Sequence, residues 1–97
     1  MILRQIVAIR LPAVGPRHHS AIIAYRYKNQ QGLLYDINRM DMVNWILQDK
    51  EEHKAYVRDR KGDVAYCKVM HNQYGTYYLE TKADGIYADN LLALPQF

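Results

Sequence analysis

The sequence predicts an α+β domain: a mainly antiparallel sheet in the order βββ-α-βββ, one helix packed on it and a docked C-terminal tail. Apolar and polar residues alternate in several short segments, as they do in half-buried strands. One central segment instead spaces its apolar residues by three and four, as an amphipathic helix does. The chain has 97 residues, of which 49% are hydrophobic and 24% charged, so we expect one core and one domain over residues 1–97.

The first three strands are predicted to precede the helix. In the first strand Leu3, Val7, Ile9 and Leu11 fall at odd positions, whereas Arg4 and Arg10 fall at even ones. A second strand over 18–28 alternates in the same way, and a third over 33–37 follows a polar turn that contains a glycine.

The helix is predicted from about Arg39 to about Lys50. Asn38 is a typical N-cap, and Asp41 places a carboxylate in the first turn, where the unpaired amides favour an anion. The apolar residues with helical spacing are Met42, Val43, Ile46 and Leu47.

Two further strands, Lys54–Asp59 and Asp63–Met70, are predicted as a hairpin around Arg60-Lys61-Gly62. A three-residue loop with Gly62 in the left-handed conformation keeps the small and apolar residues on one face, whereas a two-residue loop would mix them with charges. The expected cross-strand pairs are Val57 with Ala65 and Ala55 with Cys67 on the apolar face, and Tyr56 with Tyr66 on the other.

The last strand is predicted over Tyr77–Thr81, and the tail follows it. Asp84-Gly85 is typical of a turn, and Asp89 of the start of a short helical turn that Pro95 ends. The residues expected to dock this tail on the core are Leu91, Leu92 and Leu94.

Several protein classes are disfavoured by composition. Cys67 is the only cysteine, which excludes an intrachain disulfide and a multi-cysteine zinc site. No segment approaches the roughly 20 apolar residues of a membrane span, and the start lacks the features of a secretory signal. We therefore expect a cytoplasmic protein without a membrane partner.

Metal and enzyme chemistry also find little support in the sequence. The four histidines, His18, His19, His53 and His71, do not have the usual spacing of zinc ligands, and we expect no metal, no cofactor and a buried His19. No phosphate loop, nucleophile elbow or metalloprotease helix motif occurs, so we expect no catalytic residues. A catalytic site assembled from residues far apart in the sequence stays open.

Motifs along the chain resemble those of a known family. The closing residues read Tyr78-Leu79-x-Thr81-x-Ala83-Asp84-Gly85 and Asp89-Asn90-Leu91-Leu92-x-Leu94-Pro95, and upstream His19, Met42-Val43-x-x-Ile46 and Tyr56-Val57-x-Asp59-x-x-Gly62 fit the same pattern. The sequence thus resembles a family of small bacterial and phage proteins that is known only as a domain of unknown function. The resemblance spans most of the chain and implies a compact domain, but no reaction, ligand or catalytic residue.

The closing motif permits two interpretations. Asp84, Asp89 and Asn90 offer oxygen atoms of the kind that bind hard cations. The calcium-loop spacing is absent, however, and a turn and a helix cap account for each residue without a ligand. We favour the structural interpretation.

A basic and aromatic surface is the first functional hypothesis. The predicted hairpin places Tyr56 and Tyr66 on one face, where cations can neutralise phosphates and rings can stack on bases. Single-stranded nucleic acid or a nucleotide is the expected partner. The cations expected beside the two tyrosines are Lys54, Arg58 and Lys68, and a secondary basic face on the first two strands is expected from Arg4, Arg10, Arg26 and Lys28.

The alternative is a protein-interaction module without a nucleic-acid role, either a homodimer or a phage or bacterial regulator acting on a host protein. Residues that could remain for an interface after the core is filled are Met40, Trp45, Tyr77 and Tyr87. An exposed Trp45 would favour this alternative, whereas Tyr56 and Tyr66 exposed among lysines would favour nucleic acid.

Overall fold

The computed structural model describes residues 1–59, 61–81 and 91–97. Within these ranges the elements follow the predicted order, and the α+β class is confirmed. They are β1 Ile2–Arg10, β2 Ala24–Lys28, β3 Leu34–Asn38, α1 Arg39–Gln48, β4 His53–Arg58, β5 Val64–His71 and β6 Tyr77–Thr81.

The six strands form one sheet in the order β3-β2-β1-β4-β5-β6. Neighbouring strands are antiparallel except β1 and β4, which are parallel and pair from Ile2–His53 to Gln5–Tyr56. The helix connects β3 at one edge to β4 beyond β1, and it covers one face of the sheet. The core between them includes Ile9, Tyr25, Met42, Val43, Leu79 and Leu91.

A β-bulge divides β1 and changes which side chains are buried. Ile6 pairs with Tyr27 and Ala8 with Arg26, so β1 has one more residue here than β2. The extra residue shifts the alternation, and both Ile6 and Ile9 lie in the core. The prediction that the odd positions of β1 form the buried face is therefore wrong before the bulge.

The second strand is shorter than predicted. It begins at Ala24, and His19–Ala21 form one turn of 3₁₀ helix instead. The reason is local, because Nδ1 of His18 accepts a hydrogen bond from the Ser20 amide at 3.1 Å and offers the backbone an alternative to strand pairing. His19 is buried, as expected.

The helix begins where the sequence predicts it to begin. The Asn38 side chain accepts a hydrogen bond from the Asp41 amide at 2.8 Å. Met42, Val43 and Ile46 face the core, as their spacing predicts. The helix ends at Gln48, two residues earlier than expected, and the Asp49 carboxylate then accepts hydrogen bonds from the amides of the following turn.

We expect Asn38→Ala to lower the free energy of unfolding by about 1 kcal/mol, because one amide of the first helical turn loses its partner. Asn44→Ala is the matched control, since Asn44 is exposed in the middle of the same helix, where alanine is the better helix former. Urea unfolding of both variants measures the difference. Equal stabilities would show that the cap contributes nothing.

The tail docks on the core through its leucines, as predicted. Leu91 and Leu92 are buried, and Leu94 packs against the core. The backbone then pairs with β1, because the Ile9 amide donates to the Pro95 carbonyl at 2.9 Å and the Phe97 amide donates to the Ile9 carbonyl at 3.1 Å. The tail therefore adds a short parallel segment to the sheet beyond the end of β4.

Candidate binding site at the fork between β4 and β5

The β4–β5 hairpin has the predicted register. Tyr56 pairs with Tyr66 and Val57 with Ala65. The Asp59 amide donates to the Asp63 carbonyl at 2.9 Å, which closes the expected three-residue loop. Gly62 has a φ of 89°, a conformation that side chains with a Cβ rarely adopt. Arg60 of this loop lies outside the described residues.

The fifth strand changes its partner between Tyr66 and Cys67. Its first residues, Val64–Tyr66, pair with β4, and its last residues, Cys67–His71, pair with β6. The expected pair of Ala55 with Cys67 is not among the strand pairs of the described residues. The two strands diverge beyond Tyr56 and Tyr66, and we call the divergent part, His53–Ala55 and Cys67–His71, the fork.

Tyr56 and Tyr66 lie at the closed end of the fork, on the face of the sheet opposite α1. Their ring centroids are 6.1 Å apart, with 58° between the planes. Tyr66 is 51% exposed and Tyr56 is half-buried. The Arg58 guanidinium lies 6.0 Å from the Tyr56 ring and donates to the Gly62 carbonyl at 3.0 Å. The structure therefore brings these three predicted residues together.

Lys54 and Lys68 lie on the two arms of the fork and both line the cleft between them, whose volume is about 410 Å³. Lys54 pairs with Leu3 of β1, and Lys68 pairs with Glu80 of β6. All five residues predicted for ligand binding are thus near the fork, and Glu80 adds a carboxylate to the same face.

Three further basic or titratable residues line the cleft: Lys50 after the helix, His53 on β4 and His71 at the end of β5. None of the three was predicted from the sequence to belong to the site. They come from three places in the chain, and the partner change of β5 is what brings them together. The spacing of residues in the sequence does not indicate that β5 changes its partner.

Cys67 also lines the cleft. Burial raises the pKa of its thiol to about 12, so the thiol is protonated at neutral pH. A protonated thiol reacts slowly with electrophiles. Cys67 serves this region as a small packing residue beside the core.

Trp45 is held between other side chains and is half-buried. The His53 ring stacks on it with a centroid separation of 4.5 Å and an interplanar angle of 6°. Nδ1 of His53 lies 2.6 Å from the Trp45 carbonyl oxygen, and because a carbonyl only accepts, Nδ1 carries the proton. The Arg4 guanidinium lies 3.9 Å from the Trp45 ring.

The secondary basic face is not assembled as predicted. Arg4 precedes the bulge and shares the helix side of β1 with Ile6, where its guanidinium also lies 4.5 Å from the buried Tyr27 ring. The prediction placed it on the same face as Arg10, Arg26 and Lys28, and this was wrong because the bulge was not foreseen.

Two of the remaining arginines of that face are engaged within the protein. Arg10 donates to the Phe97 carbonyl at 3.0 Å, and the guanidiniums of Arg10 and Arg26 lie 4.6 and 4.4 Å from the Phe97 ring. Arg26 also forms an ion pair with Asp36 at 2.7 Å. This hydrogen bond raises the pKa of Arg26 and lowers that of Asp36. Lys28 is exposed on the same face.

Other predicted features fall outside the described residues. These are the turn at Asp84-Gly85, the candidate cation ligands Asp84, Asp89 and Asn90, and Tyr87. In the described part of the chain, no group of three His, Cys, Asp or Glu side chains is arranged to hold a metal ion. Within the same residues, no helix has the length and apolar character needed to span a membrane.

Comparisons with known proteins identify the family of the chain but no ligand for the fork. A search of the curated proteins and a search of the solved structures found no significant match. A family model described as "Protein of unknown function (DUF3892)" matches residues 5–95, which include the fork and the closing motif. This match confirms the resemblance seen in the sequence, and the chain belongs to this family of unknown function.

Proposed function

We propose that this protein binds single-stranded nucleic acid or a nucleotide through the basic and aromatic face at the fork. The observation that carries the proposal is the pair of Tyr56 and Tyr66, one ring half exposed, beside Arg58 and between Lys54 and Lys68. Aromatic rings stack on bases without regard to sequence, and lysine and arginine neutralise phosphates.

The register of the sheet extends this face beyond the hairpin. Gln5 pairs with Lys28 on one side and with Tyr56 on the other, and Tyr56 pairs with Tyr66. These four residues form one row across four strands, which is about 14 Å at the usual strand spacing. This row combines a cation, an amide and two aromatic rings. It therefore suits an extended single strand of nucleic acid better than a small ion.

The environment of Trp45 also supports this choice over a protein interface at that residue. Its ring is already stacked against His53 and Arg4, so it offers little apolar surface to a partner. Tyr66, in contrast, exposes half of its surface beside cations.

A homodimer through the free edge of β3 is the second candidate. This strand ends the sheet, and Leu34 and Tyr35 on it are exposed. An edge strand with apolar side chains can pair with a second copy. Light scattering at high protein concentration tests this candidate, and a monomer there would exclude it.

The nucleic-acid proposal is tested by fluorescence anisotropy with short single-stranded DNA and RNA between about 50 and 200 mM salt. We expect saturable binding that weakens linearly on a log–log plot, because phosphate contacts release counterions. Tyr56→Ala/Tyr66→Ala should weaken binding at least tenfold, since each stacked base is worth about 1–3 kcal/mol.

Tyr74→Ala is the matched control for this experiment. Tyr74 is 81% exposed in the loop before β6 and is not part of the row, so its loss should leave binding unchanged. Circular dichroism verifies that the double variant is folded. Unchanged binding by a folded double variant, or no binding by the wild-type protein at low salt, would refute the proposal.

A further inference from the structure

We infer that the cleft within the fork is a second binding site, for a small organic anion with a phosphate or carboxylate head and an apolar body. The site shares Lys54 and Lys68 with the proposed nucleic-acid face and differs from it because it also includes residues of α1, on the other side of the sheet. Its volume of about 410 Å³ is in the range of pockets that hold small molecules.

The charge of the cleft indicates an anionic head group. Lys50, Lys54 and Lys68 line it together with His53 and His71, and no Asp or Glu of the described residues lines it. Several cations around one concave surface repel one another, and the low dielectric of the walls focuses their field on the cleft. An anion that enters relieves this repulsion.

The remaining wall indicates an apolar body. Leu47 and Tyr77 are both exposed, and Val69 packs against the core beside them. These side chains come from α1, β6 and β5, so they line the cleft on more than one side. A simple inorganic anion would leave this surface in contact with water, whereas an apolar body would cover it.

The partner change of β5 explains why the cleft exists. Residues 53–55 of β4 pair with β1, and residues 67–71 of β5 pair with β6, so the edges that face each other carry no described strand pairing. Main-chain donors and acceptors along a strand edge are available to a ligand wherever no second strand takes them. A polar group of the ligand can therefore be held by backbone as well as by lysine.

The test is an NMR titration of the ¹⁵N-labelled protein with octanoate, AMP, inorganic phosphate and octylammonium. We expect saturable amide shifts at His53, Val69 and His71 with octanoate or AMP, and much weaker binding of inorganic phosphate. Shifts with AMP alone would identify a phosphate head and shifts with octanoate alone a carboxylate head. No saturable shifts with either, or equal binding of octylammonium, would overturn the inference.

Two variants confine the result to the cleft. Lys50→Glu should weaken binding at least tenfold, because it replaces a charge-assisted contact with a repulsive charge, and Leu47→Ser should weaken octanoate binding more than AMP binding. Lys61→Glu, in the exposed hairpin loop, is the charge-matched control and should have no effect. Equal affinities of Lys50→Glu and Lys61→Glu would overturn the inference.

The result with octanoate is independent of the nucleic-acid proposal, because octanoate has neither a base nor a phosphate. Lys50 and Leu47 do not belong to the outer face, so their variants should retain oligonucleotide binding. Tyr56→Ala/Tyr66→Ala should retain octanoate binding in the same way.

Discussion

Replacing Leu79 with alanine is expected to lower the free energy of unfolding by about 2–5 kcal/mol. Leu79 is 0% exposed, lies on β6 opposite Val69 and belongs to the core beneath α1. Truncation removes its transfer free energy and leaves a cavity that a packed core fills only in part. In a domain of this size such a loss lowers the Tm by about 10 °C or more.

Leu33→Ala is the control for this prediction. Leu33 is 55% exposed in the turn before β3, and its backbone carbonyl, which accepts from the Asn29 amide, is retained in alanine. Leu33→Ala should lower the free energy of unfolding by no more than about 0.5 kcal/mol. Thermal unfolding of both variants measures the difference. A mild Leu79→Ala would mean that β6 does not pack on the core and that the fork is not formed as described.

Raising the pH above 9 is expected to destabilise the protein strongly through Tyr25, which is buried, and Cys67, which is partly buried. Burial raises the pKa of Cys67 from its ordinary value of 9.0 to about 12, and burial also raises the pKa of Tyr25, with the nearby Cys67 adding to the effect. The folded state therefore holds both protons more tightly than the unfolded state. This contribution is complete below the unfolded pKa values and is lost as the pH rises towards 12.

Urea unfolding between pH 7 and pH 11 measures this effect. Cys67→Ala and Tyr25→Phe each remove one of these titrating groups, so each should lose less stability per pH unit above 9 than the wild type. All other ionisable side chains are common to the wild type and the variants. The same alkaline slope in the wild type and in Cys67→Ala/Tyr25→Phe would contradict the prediction.

Local features of this fold were predictable from the sequence because their causes are local. The Asn38 cap needs only a side-chain oxygen three residues before the amide it accepts from. The Tyr56–Tyr66 register needs only a loop length and the separation of apolar from charged residues. In both cases one short segment contains everything that determines the outcome.

Other features depend on residues that are distant in the sequence. The bulge in β1 is defined by its pairing with β2, and the sequence prediction did not include it, so Arg4 was assigned to the wrong face. The helical turn at His19 has a local cause, since the hydrogen bond between His18 and Ser20 competes with strand pairing, but the alternation of this segment predicted a strand. Strand propensity and the alternation of apolar residues do not show whether a segment forms a regular strand, a bulged strand or a helical turn.

The candidate site divides in the same way. Its tyrosine pair and Arg58 belong to one hairpin and were predicted together. Lys50, His53 and His71 join the cleft because β5 leaves β4 for β6, and that change of partner involves three strands and not one segment. A long-range cause of this kind leaves no pattern in a single segment.

The single parallel contact between β1 and β4 has a consequence for the order of folding. On each side of it stand three strands joined in sequence by antiparallel pairs, β1–β3 and β4–β6, whose contacts are comparatively local. Joining the two halves closes a loop of about 50 residues. The entropy lost in that closure comes before the stabilisation that the β1–β4 pairs provide. The parallel seam is thus where the folding barrier is expected to lie, and changes along it should slow folding more than changes at the sheet edges.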